Sequence, residues 1–151
     1  MSMSAAEQLI LVAEDDDDDR SLIQHAFKAL SVPNPVRFVG DGVELLDYLH
    51  RRGAFTDRGA NPAPALVFLD LNMPRLDGCA TLDAIRHDPA WRRLPVIILT
   101  TSSDQDDIDR CYAAGANSYV TKPLDYGGLL SATRSLGSFW LETARLPREP
   151  R

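Results

Sequence analysis

The chain has 151 residues, 44% of them hydrophobic and 25% charged, which suits one domain around a single core. Its net charge of −6 and pI near 4.9 argue against nucleic acid and anionic membrane surfaces as partners, since both need a basic footprint. The apolar run nearest the N-terminus, Leu9–Ala13, is too short for a signal-peptide core or a bilayer span, so a cytoplasmic location is expected.

That run, "LILVA", reads as a short strand. Directly after it stand Glu14 and five consecutive aspartates, Asp15 to Asp19. Like charges this close raise one another's pKa values and loosen a fold. A charge run is ordinarily a solvated face, and acids suit the start of a helix. The helix that follows, "DRSLIQHAFKAL", sets Leu22, Ile23, Ala26, Phe27 and Leu30 at helical spacing. Val36–Val39 is a second strand, and "DGVELLDYLHRR" a second helix with Val43, Leu45, Leu46 and Leu49 inward. The Gly, Pro and Ala-rich segment "GAFTDRGANPAPA" reads as a loop long enough to imply function or mobility.

Ala65–Leu69 is a third strand, continuous in hydrophobicity and so buried on both faces; "ATLDAIRHD" is a third helix, closed by Pro89. Pro95–Leu99 is the fourth strand, and "DQDDIDRCYAAG" the fourth helix with Gly115 as its cap. "NSYVT" makes a fifth strand, and the last helix begins near Asp125 and runs through "LLSATRSLGSFWLET". Five such units predict an α/β fold, a doubly wound parallel sheet with helices on both faces. In such sheets ligands sit beyond the carboxyl ends of the strands.

Four strands deliver chemistry to that edge: Glu14 and Asp15 after the first, Asp70 after the third, Thr100 and Thr101 after the fourth, Lys122 after the fifth. Singly each has an ordinary explanation as a turn, cap or surface residue. Together the carboxylates imply a hard divalent ion, and Mg²⁺ prefers oxygen ligands and keeps several waters. Asp15 and Asp70 can ligate it directly, Glu14 directly or through water, and the Asn72 carbonyl is placed for a further position. A carboxylate can also act as nucleophile towards phosphorus, giving an acyl phosphate. The metal, the Lys122 ammonium and the Thr100 hydroxyl suit three phosphoryl oxygens.

The set Glu14–Asp15, Asp70, Thr100 and Lys122–Pro123 on this fold resembles the receiver domain of two-component response regulators, the CheY-like family, over residues 8–142. The resemblance implies a flavodoxin-like strand order of 2-1-3-4-5 and a phosphoryl group accepted on Asp70 from the phosphohistidine of a sensor histidine kinase. It implies that Thr100 and Tyr119 form a hydroxyl–aromatic switch pair, that Lys122 bonds the phosphoryl group, and that the Asn72 and Thr101 amides face it. "LNMPRLDG", the long loop before the third strand and the tail "FWLETARLP" resemble, more narrowly, the response regulators associated with phytochromes, which implies a phytochrome-type kinase as partner. Residues 1–7 then form an N-terminal tail and 143–151 a C-terminal extension. Asp16 to Asp19, four acids beyond the usual pair, read as a solvated face that adds negative potential.

With no second domain evident and an acidic surface, output through a phosphorylation-dependent protein contact or a phosphorelay is expected rather than DNA binding. Phe139 and Trp140 are adjacent on a helix and cannot both face one core. They mark an interface, and the resemblance implies a homodimer through the fourth helix, fifth strand and fifth helix. His25, His50 and His87 read as surface residues, and Cys79 and Cys111 as small buried thiols. Three rivals share parts of this pattern. An aspartate-nucleophile phosphatase needs a general acid where Asn72 stands. A flavodoxin-type carrier would meet repulsion between the acidic run and its flavin phosphate. A receiver-fold interaction module working without phosphorylation commonly lacks part of the acid–Thr–Lys set, which is complete here.

Overall fold

The computed structural model describes residues 8–30 and 34–147; the expected tail 1–7 and the end of the C-terminal extension lie outside that range. Five parallel strands form one sheet: β1 (Leu9–Ala13), β2 (Val36–Val39), β3 (Pro64–Leu69), β4 (Val96–Thr100) and β5 (Ser118–Thr121). Their order is β2-β1-β3-β4-β5, as expected. The helices are α1 (Asp17–Ala29), α2 (Gly42–Leu49), α3 (Gly78–His87), α4 (Gln105–Ala113) and α5 (Tyr126–Ser138), the last continuing into a π-turn over Phe139–Thr143.

All five helices start the same way. Asp16, Asp41, Asp77, Asp104 and Asp125 are their N-caps, and each carboxylate accepts a backbone amide from the first turn. Such a cap stabilises a helix by about 1 kcal/mol, and the negative charge also suits the dipole. Much of the chain's acidity is therefore helix-starting chemistry. Helix α1 begins two residues earlier than the apolar spacing indicated, because Asp16 caps it through the Asp19 amide. Helix α4 is capped at its far end by Ala114; Gly115, at φ 105°, takes the left-handed position beyond it.

The alternating side chains of the buried strands divide the core in two. On one face, Ile10, Val12, Leu66, Phe68, Ile97 and Leu99 pack against Ile23 and Phe27 of α1, with Leu136 of α5 and Trp140 alongside. At Gly137, α5 lies close against the end of α1: a Cβ there would lie 2.5 Å from Leu30 Cδ1 and 3.1 Å from the Phe27 ring. On the other face, Leu11, Ala13, Val67, Leu69 and Ile98 meet α2, α3 and Cys111 of α4, and Trp91 and Leu94 close the end of that layer. Helix α2 turns Tyr48 inward rather than Val43, which is half-exposed. The Tyr48 hydroxyl donates to Pro62 O at 2.8 Å, which explains its inward position.

The long loop before β3 is tied down. Gly53–Phe55 forms a 3₁₀ turn, the Phe55 ring lies 5.0 Å from Tyr48, and Asn61 accepts from Arg37 through its side chain and from Arg51 through its carbonyl. No helix among the described residues is long and apolar enough to cross a membrane.

Candidate functional site

The sheet's carboxyl edge supplies both the scaffold and the chemistry. Glu14 follows β1, and its amide continues the ladder to Val39 O at 3.0 Å; the Asp70 amide does the same to Ala13 O at 3.1 Å. Each main chain is thus fixed by the sheet while its side chain projects beyond it. Thr100 ends β4, and its carbonyl accepts the Lys122 amide from the segment leaving β5. Gly78 at the start of α3 lies against this edge: a Cβ there would sit 2.4 Å from the Asp70 carbonyl oxygen. Arg75, in the left-handed region at φ 62°, bonds both Asp41 oxygens at 2.7 and 3.1 Å and so anchors the loop that carries Asn72.

Lys122 is the electrostatic centre. Its side chain is 3% exposed, and its Nζ donates to Glu14 Oε2, to Asp19 Oδ2 at 2.9 Å and to Asp70 Oδ2 at 3.1 Å. Burial alone would lower the lysine's pKa; the hydrogen bonds from Glu14 and Asp19 outweigh it and hold the ammonium charged above its ordinary range. Glu14 is the weak member of the cluster. Burial pushes its carboxyl up to about 7 despite the Lys122 hydrogen bond, and the Asp70 charge adds to the rise.

Glu14, Asp15 and Asp70 each present one carboxylate oxygen within 4.8 Å of the others. This all-oxygen donor set fits a hard divalent cation and not a site selective for thiolate or imidazole. Asp15 is exposed, so the solvent side of such an ion stays open to water or to a phosphoryl oxygen. The Asn72 amide donates to Asp70 Oδ1 at 3.2 Å, which turns that N–H towards the same carboxylate.

Thr100 differs from every other polar group at the edge. It is fully buried, and its Oγ1 has no hydrogen-bond partner among the described residues. Leaving a buried hydroxyl unsatisfied costs about 1–3 kcal/mol, so the position calls for a reason. Thr101, beside it, is exposed and lines a groove with Lys122. Tyr119 lies half-buried on β5; its hydroxyl donates to Ser102 O at 2.9 Å, and its amide donates to the Tyr112 hydroxyl at 3.1 Å.

Two expectations are refined by these positions. Asp16, Asp17 and Asp18 are exposed as expected, but Asp19 turns inward to Lys122 and belongs to the site. The signal was present in the spacing: Asp19 stands at i on the stripe that continues with Leu22, Ile23 and Ala26. Of the aromatic pair, Trp140 is half-buried against the α1 side of the core, while Phe139 is 52% exposed and meets the Trp140 ring edge-on at 5.4 Å.

Comparison with known proteins agrees with this arrangement. Residues 10–134 match the response regulator receiver domain family. The chain is 34% identical to response regulator Rcp1 of Synechocystis sp. over 140 residues, 93% of each chain. The Mn²⁺-bound structure of Rcp1 superposes with a TM-score of 0.87, covering 93% of this chain and 99% of that one at 34% identity. The phosphorylated cyanobacterial phytochrome response regulator RcpA gives 0.87 at 38% identity, covering 93% and 98%. RPA3017, a response regulator in red light signaling of R. palustris, gives 0.85 at 44% identity over the same shares. With a buried lysine caged by carboxylates, an unpartnered threonine at the end of the next strand, and relatives matching along nine-tenths of its length, this chain belongs to the response regulator receiver domain family.

Proposed function

We propose that Asp70 is the phosphoacceptor and that the site works with Mg²⁺ held by Glu14, Asp15, Asp70 and the Asn72 carbonyl. When bound, the ion supplies positive charge that offsets the carboxylates and the incoming phosphoryl group. An Asp70 oxygen attacks phosphorus, and the bond from phosphorus to the donor's imidazole nitrogen breaks. Lys122 then gives up hydrogen bonds to Glu14, Asp19 and Asp70 and takes a phosphoryl oxygen. The amides of Asn72 and Thr101 meet the others. The Thr100 hydroxyl carries this reading: a buried donor with no acceptor among the described residues gains a partner when the phosphoryl group arrives.

Movement of Thr100 towards that group frees the β4–α4 loop, where Ser102 O holds the Tyr119 hydroxyl. Tyr119 then reorients, and the α4–β5–α5 face changes. Because RcpA is named as a phytochrome response regulator and RPA3017 as a response regulator in red light signaling, the donor we favour is a phytochrome-type sensor histidine kinase in the cytoplasm. The output is a contact with a downstream protein or relay. The receiver unit spans 8–142, and the 143–151 extension joins Phe139, backed by Trp140, in a homodimer contact. The protein assists its own phosphorylation and dephosphorylation through the same groups.

Incubation with acetyl phosphate and Mg²⁺, followed by intact-mass analysis, tests the assignment. One phosphoryl mass is expected on the wild type and none on Asp70→Asn; equal labelling of both would overturn it.

A further inference from the structure

Cys79 and Cys111 play no part in the phosphoryl site, yet their sulfurs lie 3.7 Å apart across the contact between α3 and α4. The chain has no other cysteine. Both are free thiols, and their environments differ. Cys111 is fully buried. Cys79 is half-exposed and opens into a cleft of about 410 Å³ lined also by Asp77, Asp107 and Arg110. A reachable sulfur can attack a small disulfide, and a second thiol in contact can resolve the bond the first one makes.

We infer that Cys79 and Cys111 form a thiol–disulfide exchange site that a low-molecular-weight disulfide converts into an intramolecular cross-link between α3 and α4. The Cys79 thiolate attacks one sulfur of the small disulfide; that S–S bond breaks and one thiolate leaves. Cys111 gives up its proton, its sulfur attacks Cys79 in the mixed disulfide, and the second thiolate leaves. Two electrons pass from the protein dithiol to the small disulfide, and the two protons end on the released thiols. The order of steps follows from access: the cleft reaches Cys79 only, and burial, with Cys79 alongside, pushes the Cys111 thiol up to about 12. Cross-linking closes the two sulfurs from 3.7 Å to a bond of about 2.05 Å between two neighbouring helices. The cross-link would join α3, whose first turn abuts Asp70, to α4, whose Asp107 holds the Ser102 hydroxyl at 2.6 Å.

The test uses the folded full chain in mixtures of reduced and oxidised glutathione, with free thiols then alkylated under denaturing conditions. Intact mass and peptide mapping read the result. Expected is the joint loss of both alkylatable thiols in the monomer, a peptide linking Cys79 to Cys111, and full reversal by reduced glutathione. Cys79→Ser is expected to react at least about tenfold more slowly, since only the buried thiol remains. Cys111→Ser is expected to stop at a glutathione adduct on Cys79. A stable wild-type adduct with Cys111 still alkylatable, cross-links between chains only, or Cys79→Ser reacting as fast as wild type would each overturn the site. The last readout stands even if Cys111→Ser fails to fold.

Discussion

Two side chains at neighbouring strand ends face the same site in opposite states. At the end of β5, Lys122 has three carboxylate partners; at the end of β4, Thr100 Oγ1 has none among the described residues. The difference separates two ways of serving one incoming anion. For Lys122 the anion replaces existing ion pairs, so its net gain is an exchange between similar interactions. For Thr100 the gain is a whole hydrogen bond in a dry setting, which removes a penalty rather than swapping a partner. On the proposed function, lysine governs the stability of the resting state, while threonine biases the switch.

The largest expected effect comes from emptying the cage. Lys122→Ala leaves Glu14, Asp19 and Asp70 without their shared counter-ion, and loss of one partner from a buried pair costs about 3–5 kcal/mol. Urea unfolding in EDTA should report this, and Mg²⁺ should restore a large part. An unchanged midpoint without metal would mean that the cage is not structural.

Next comes pH. The Glu14 carboxyl rises from 4.5 to about 7 on folding, so the folded state binds its proton more tightly than the unfolded state does. Its contribution to stability is complete below about pH 4.5 and is lost as pH climbs through 7, a change on the order of 3 kcal/mol. Lys122 stays charged across this window and does not offset the loss. Metal-free protein should therefore weaken between pH 5 and 8 in thermal melts, and Glu14→Gln should flatten that slope.

The threonine side of the comparison is sharpened by Thr100→Val, which keeps shape and deletes the unpartnered hydroxyl. It should stabilise the unphosphorylated protein by about 1 kcal/mol while weakening the response of partner binding to phosphorylation. Destabilisation would show that the hydroxyl is already satisfied. The smallest effect separates two neighbours in the acidic run. Asp19→Asn should cost about 1 kcal/mol through Lys122, whereas Asp18→Asn should stay within about 0.5 kcal/mol.

The strands were legible because parallel, doubly covered strands leave unbroken apolar runs such as Leu66–Leu69 and Val96–Leu99. The strand-end residues were legible because sheet topology alone brings their positions together. What stayed hidden depends on contacts that no local pattern encodes. Asp19 is the exception: the helical stripe through Leu22, Ile23 and Ala26 marks it, but a run of like residues makes the position easy to pass over. Trp91 and Leu94 lie in an irregular connector with no period, although both belong to the core. The meeting of Cys79 with Cys111 is set by how α3 and α4 pack, and their 32-residue separation gives no sign of it. Gly137 seats closely against Phe27 and Leu30, a contact set by how α5 packs on α1.

The mounting of α4 has a mechanical consequence. The helix buries one residue, Cys111, in its last turn, and the segment just beyond is clamped by Arg86, which donates to Gly115 O and Asn117 Oδ1 at 2.8 Å. The opposite end is held through Ser102 and Asp107. With the fulcrum near Cys111, the six residues back to Gln105 at 1.5 Å each make a lever arm about 9 Å long. A displacement of about 1 Å at Gln105 then turns the helix by only about 6°, so Asp106 sweeps through most of that distance while Tyr112 beside the fulcrum barely moves. A partner that grips the Gln105 end feels the stroke; one that grips the Tyr112 end feels a fixed post.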